Sequence, residues 1–114
     1  MSVEKTIISA LRPIGWPVES GVYTGDADKY IVFSYTSLGD DYSDDEAQHE
    51  RVLLQIHIFA PLAFNVTKTV KDVKNAINAV GFTWPSREDL SDEDGRHVVL
   101  ECEGAVEAER DGEI

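Results

Sequence analysis

Positive charge is scarce in this sequence: 10 Lys and Arg stand against 22 Asp and Glu, a formal net charge of −12. A surface with that balance repels phosphate backbones and anionic lipid, which argues against conventional nucleic-acid binding and against peripheral membrane attachment. Cysteine is nearly absent as well. The single thiol, Cys102, has no internal partner for a disulfide, and this fits a reducing cytosolic compartment better than secretion. Apolar runs are only a few residues long, far short of the roughly 20 needed to cross a bilayer. The opening MSVEKTIISALRPIG, with Glu4 and Lys5 ahead of a brief apolar stretch, lacks the form of a signal peptide. The sequon Asn65-Val66-Thr67 therefore carries little weight.

What is present is one domain's worth of core: 114 residues, 42% of them hydrophobic, with no internal repeat and no linker that would divide residues 1–114. Residues 2–12 (SVEKTIISALR) place Val3, Ile7, Ile8 and Leu11 at helical spacing, with Ser2 as N-cap and Pro13 ending the run. IGWPVESG reads as irregular, and GVYTGDADKY as a short strand followed by a turn. YIVFSYTS, residues 30–37, is aromatic and β-branched and predicts a strand. In RVLLQIHIF, residues 51–59, Val52, Leu54, Ile56 and Ile58 alternate with Arg51, Gln55 and His57, which predicts a second strand paired to the first as an antiparallel hairpin.

NVTKTVKDVKNAINAV, residues 65–80, spaces Val66, Val70, Val73, Ile77 and Val80 for an amphipathic helix capped by Asn65 and closed by Gly81. GFTWPS reads as a short extended piece and REDLSDEDG as an acidic loop. Trp16 and Trp84, each before a proline, read as lids on the core. HVVLECEGAVEA, residues 97–108, predicts a strand with Val98, Leu100 and Cys102 on a dry face and His97, Glu101 and Glu103 on a wet one, with a bulge at Gly104 and a frayed tail over 109–114. The expected architecture is α+β, an antiparallel β-sheet with two α-helices packed on one face.

Chemistry is hard to find in these residues. Setting Gly95 at the turn position of an EF-hand loop places Asp92, Asp94 and Glu101 correctly, but Leu90 stands where the first ligand is required. His49, His57, His97 and Cys102 lack paired zinc spacing, and Cys102 falls on the face opposite His97. No nucleophile elbow and no phosphate-binding glycine loop occurs. An enzyme stays open as a third option but lacks a positive signal, since 22 carboxylates make any acid–base pair unremarkable by number alone, and no catalytic, cofactor or metal residue is singled out. Two charged features remain. The connection GDDYSDDEAQHE, residues 39–50, gathers Asp40, Asp41, Tyr42, Asp44, Asp45 and Glu46 in a flexible acidic loop, and Lys68, Lys71 and Lys74 form a basic stripe on the second helix. Solvated surface is the simpler account of both. The sharper account makes them assembly contacts, the stripe of one copy meeting the loop of its neighbour.

The order of these segments (a short N-terminal helix, YIVF, a polar tip, RVLLQIHIFA, TVKDVKNAINAV and HVVLECEGAVEAE) resembles the tail completion, or tail terminator, proteins of long-tailed bacteriophages and prophages, over most of residues 3–109. The resemblance implies a non-enzymatic structural head-tail joining protein, with no catalytic residues, that forms a ring, usually hexameric, capping the tail tube and meeting the head connector proteins. It further implies assembly in the bacterial host cytoplasm, residence in the virion at the head-tail junction, and no cofactor, membrane or sequence-specific nucleic-acid partner. The free subunit is expected to be monomeric until it meets the tail. On this reading the acidic loop is an arm that orders against a neighbour or lines the DNA channel. The alternative is a small acidic module of the DNA-mimic type that engages a basic partner.

Overall fold

In the computed structural model, which describes residues 3–37 and 49–107, two helices and five strands form an α+β domain. Helix α1 (Val3–Leu11) buries Val3, Ile7 and Leu11, one residue per turn. A 3₁₀ turn over Arg12–Ile14, containing Pro13, ends it at Gly15 in the left-handed conformation. Helix α2 (Thr67–Ala79) buries Thr69, Val70, Val73 and Ile77. It begins one residue later than the apolar spacing from Val66 predicts: Val66 stands at the N-cap position, and the Thr67 N–H donates to Asn65 Oδ1 at 2.9 Å in a turn that precedes the helix.

Its C-terminus is a Schellman arrangement. The Gly81 N–H donates to the Asn78 carbonyl and the Phe82 N–H to the Ile77 carbonyl, with Gly81 at φ +109°. Buried Phe82 then lies over Gly104, to which it is bridged.

The strands β1 (Val18–Ser20), β2 (Tyr30–Ser37), β3 (His49–Ala60), β4 (Ser86–Asp89) and β5 (Arg96–Glu107) stand in the order β1-β2-β3-β5-β4. The sheet is mixed and mostly antiparallel. The expected all-antiparallel sheet is corrected at β1, which pairs parallel to β2 from Val18↔Ile31 to Ser20↔Phe33. Parallel neighbours ordinarily require a long crossover, but a strand of three residues spans only about 10 Å, so residues 21–29 suffice to carry the chain back. This strand also lies before Gly21 and not after it, in a stretch that reads as irregular.

β4 was another unexpected strand: SRED, wholly polar and exposed, pairs with β5 as an edge. Gly104 makes no bulge. β5 runs through it in one-to-one register, with Val52 opposite.

Ile31 and Phe33, Val52, Leu54, Ile56 and Ile58, and Val98, Leu100 and Cys102 face the helices and form one core with their buried residues. Each fully buried Leu or Ile here contributes about 1.5–3 kcal/mol relative to exposure. Trp16 packs against this core, edge-on to Phe64 with centroids 5.7 Å apart, as expected of a lid. Trp84 does not: it is 53% exposed.

A Cβ at position 104 would stand 2.9 Å from the Phe82 ring and 3.0 Å from the Gly81 carbonyl oxygen. Gly104→Ala is therefore expected to cost about 1–3 kcal/mol in urea unfolding, and less in a Phe82→Leu background, where the ring no longer fills the space.

Candidate docking surface on the open sheet face

The helices cover one face of the sheet. Alternation puts Tyr30 and Val32 of β2, Leu53, Gln55, His57 and Phe59 of β3, and His97, Val99, Glu101 and Glu103 of β5 on the other, where no described element lies over them. Register then sorts them into rows. Tyr30, Phe59 and His97 stand directly opposite one another, as do Val32, His57 and Val99. Side chains in such rows are within contact distance across the strands.

The first row is a stack of rings. Centroids are 4.8 Å apart for Tyr30 and Phe59 and 4.3 Å apart for Phe59 and His97, with planes inclined by 22° and 19°. Tyr23 extends the stack on the far side of Tyr30, at 4.3 Å and 20°. Its hydroxyl accepts the Ala27 N–H at 3.0 Å, which folds the β1–β2 connection against the sheet. Each ring pair is worth roughly 0.5–1.5 kcal/mol beyond its buried area. The rings stand on the sheet face to face, so they present edges to the solvent.

Beside the stack runs a polar chain. Glu101 can only accept, so the Gln55 amide nitrogen donates to Glu101 Oε2 at 2.8 Å, which leaves Gln55 Oε1 to accept from His57 Nε2 at 2.8 Å. Neutral His57 then accepts at Nδ1, and His97 Nε2 donates to it at 2.8 Å. His97 is held in turn by backbone bonds, its N–H donating to the Ser91 hydroxyl and its carbonyl accepting from Leu90. The two imidazoles can keep their bond with one added proton, but not with two, since two imidazolium rings have no acceptor between them. Arg51 and Glu103 close the far end with a 2.9 Å ion pair.

The residues singled out from sequence fare unevenly. Asp40, Asp41, Tyr42, Asp44, Asp45 and Glu46 lie outside the described residues. The basic stripe is largely engaged within its own chain: Lys68 pairs with Asp72 at 2.8 Å, Lys74 sits 5.8 Å from the centroid of the exposed Trp84 ring, and Lys71 is unpaired among the described residues. Cys102 is buried in the core, and desolvation pushes its thiol up to about 11. Among the described residues no three His, Cys, Asp or Glu side chains are grouped to hold a metal, and no helix is long and apolar enough to cross a membrane.

The ring stack and the histidine pair were missed. The signal was available: once RVLLQIHIF and HVVLECEG are paired antiparallel with Ile56 opposite Leu100, His57 and His97 must share a face.

No family model and no curated protein matches the chain. The fold does have counterparts, since 22 solved chains match it. One of them, which carries no descriptive name, is 13% identical with a TM-score of 0.57, over 96% of this chain and 99% of its own. At that identity the likeness shows the fold alone.

Two measurements probe this face and the core beneath it. Burial, then the neighbouring His97, lowers the His57 pKa below 6.5, against a smaller opposing pull from Glu101. The unfolded chain then binds more protons than the folded one as pH falls through 6.5, so stability is lost on acidification until the folded pKa is passed. His57→Gln is expected to flatten this part of the profile, read as urea midpoints between pH 7.5 and 5. The Cys102 thiol is expected to react with an aromatic disulfide reagent at least about 100-fold faster in urea than in buffer; equal rates would contradict its burial.

Proposed function

We propose that this chain is a structural subunit of the tail-completion type, which caps a phage or prophage tail tube and joins it to the head by forming a ring. The reading is supported by the order of elements and by the uncovered face of the sheet. The observation that carries it is that face: Tyr30, Val32 and Phe59 lie half-buried together at one end of it, and Leu53, 43% exposed, stands farther along β3 beyond His57 and Gln55, with no layer above them among the described residues. Apolar side chains left uncovered on one sheet face of a small domain suit a protein–protein contact.

A second feature suits assembly. The acidic connection enters the sheet at His49, and the chain leaves the same strand at Ala60, so β3 separates the two ends by about 40 Å. One subunit can thus present its acidic arm at one end and its ring stack at the other. In a ring, contacts of the head-to-tail kind need two such different patches on each copy.

The test is genetic and microscopic. Replacing Asp40, Asp41, Asp44, Asp45 and Glu46 together by Ser or Asn in the phage or prophage that carries the gene is expected to lower the titre at least about 10-fold and leave tails detached from heads in electron micrographs. Unchanged titre and normally joined particles would remove the acidic connection from the contacts, and the same result for Leu53→Asp on the open face would refute the reading.

A further inference from the structure

The end of the sheet remote from the acidic connection holds a groove of about 580 Å³. It is lined by Tyr30, Phe59 and Pro61 together with Leu90, Asp92 and Asp94 of the β4–β5 turn. We propose that this groove takes a lysine or arginine side chain presented by an extended segment of a partner protein. The inference does not rest on the tail-completion reading, since a groove of this character would grip a basic segment in any assembly.

Charge selects the head group. Asp28, Asp92 and Asp94 line the groove, against one guanidinium, that of Arg96, and of these carboxylates only Asp92 has an oxygen engaged among the described residues, its Oδ1 accepting the Asp94 N–H at 2.8 Å. Arg96 is partly committed elsewhere, its Nε donating to the Phe64 carbonyl at 3.2 Å. Among the described residues the ion pairs are Arg51–Glu103, Lys68–Asp72 and Arg87–Asp89, so none of the three groove carboxylates is neutralised by a salt bridge. The nearby Lys29 ammonium lies 4.2 Å over the Phe64 ring instead. A cation entering the groove therefore has carboxylates to meet.

The walls select the stem. Because Phe59 is stacked between Tyr30 and His97, and Tyr30 between Phe59 and Tyr23, the faces of these two rings are taken up and they offer the groove their edges. Ring edges attract a cation poorly, but they make good hydrocarbon contacts. With Leu90, 46% exposed in the same groove, they suit the methylenes of a long basic side chain, whose apolar stem lies along the groove while its head reaches the carboxylates. The groove also opens onto the uncovered sheet face, which gives the flanking residues of a polypeptide a surface to follow; a free polyamine would have no use for it.

The experiment is a titration of the isotopically labelled full chain with the blocked tripeptide Gly-Arg-Gly, followed by amide chemical shifts. Saturable changes are expected at residues 28–30, 59–60 and 90–97, and not with the neutral citrulline counterpart. Asp94→Asn is expected to weaken binding about 2–5-fold, the range of an exposed ion pair. Phe59→Leu, with its spectrum still dispersed, is expected to weaken it as well. Changes that never saturate, that spread equally to Glu101 and Glu103, or that the citrulline peptide reproduces would overturn the proposal. Tighter binding of spermidine than of the arginine peptide at the same residues would overturn the choice of a protein segment.

Discussion

β3 is flanked on both sides, by β2 over residues 30–37 and by β5 over its full 12-residue length. Its register decides both faces of the sheet at once. A slip of one residue would turn Leu54, Ile56 and Ile58 out to solvent and drive Gln55, His57 and Phe59 in beneath the helices. The free energy that resists such a slip comes from the core side. The ring stack and the histidine pair inherit their geometry from it, because residues opposite each other on a pinned ladder have no freedom to part. The open face is in this sense the reverse side of the hydrophobic core.

That dependence explains how exposed residues can be ordered without a layer above them. Val99 lies on the open face and is still only 5% exposed, walled by His57 and Glu88 in its own row. The carboxylates nearby are tied down as well, Glu101 by Gln55 and Glu103 by Arg51. An exposed ion pair contributes only about 0.2–1 kcal/mol, so these ties orient the side chains more than they stabilise the fold. Along β3 the face changes character, from apolar rings at the Phe59 end to ion-paired residues at the Arg51 end.

The parts of this fold that were legible in the sequence are those whose apolar period is long enough to state a direction. β3 and α2 each repeat their pattern over several turns or pleats, and Cys102 and His97 fall on opposite faces as alternation requires. β1 and β4 were illegible for a common reason. Val18–Ser20 and Ser86–Asp89 hold no repeating pattern, and each is a strand only because a formed neighbour offers it a ladder. Gly104 was misread because a glycine within a strand signals either a bulge or a close approach, and only the position of Phe82 decides between them. His57 and His97 lie 40 positions apart, so no local spacing joins them. The groove was hidden more deeply still, since it is assembled from three connections that meet only when the sheet is complete.

A chain with a net charge of −12 is repelled by its own copies, and any ring it forms must overcome that repulsion at the contacts. Lysine and acidic loop alone are weak candidates for the task. Lys68 already has Asp72, and Lys74 already leans on Trp84, so a neighbour's carboxylates would exchange one exposed partner for another with little net gain. Apolar area has no such competitor within the subunit. On the proposed reading, affinity would then come from the Tyr30, Val32 and Leu53 side of the sheet. The charged groups at its two ends would decide which surface meets which, and would keep the wrong surfaces apart.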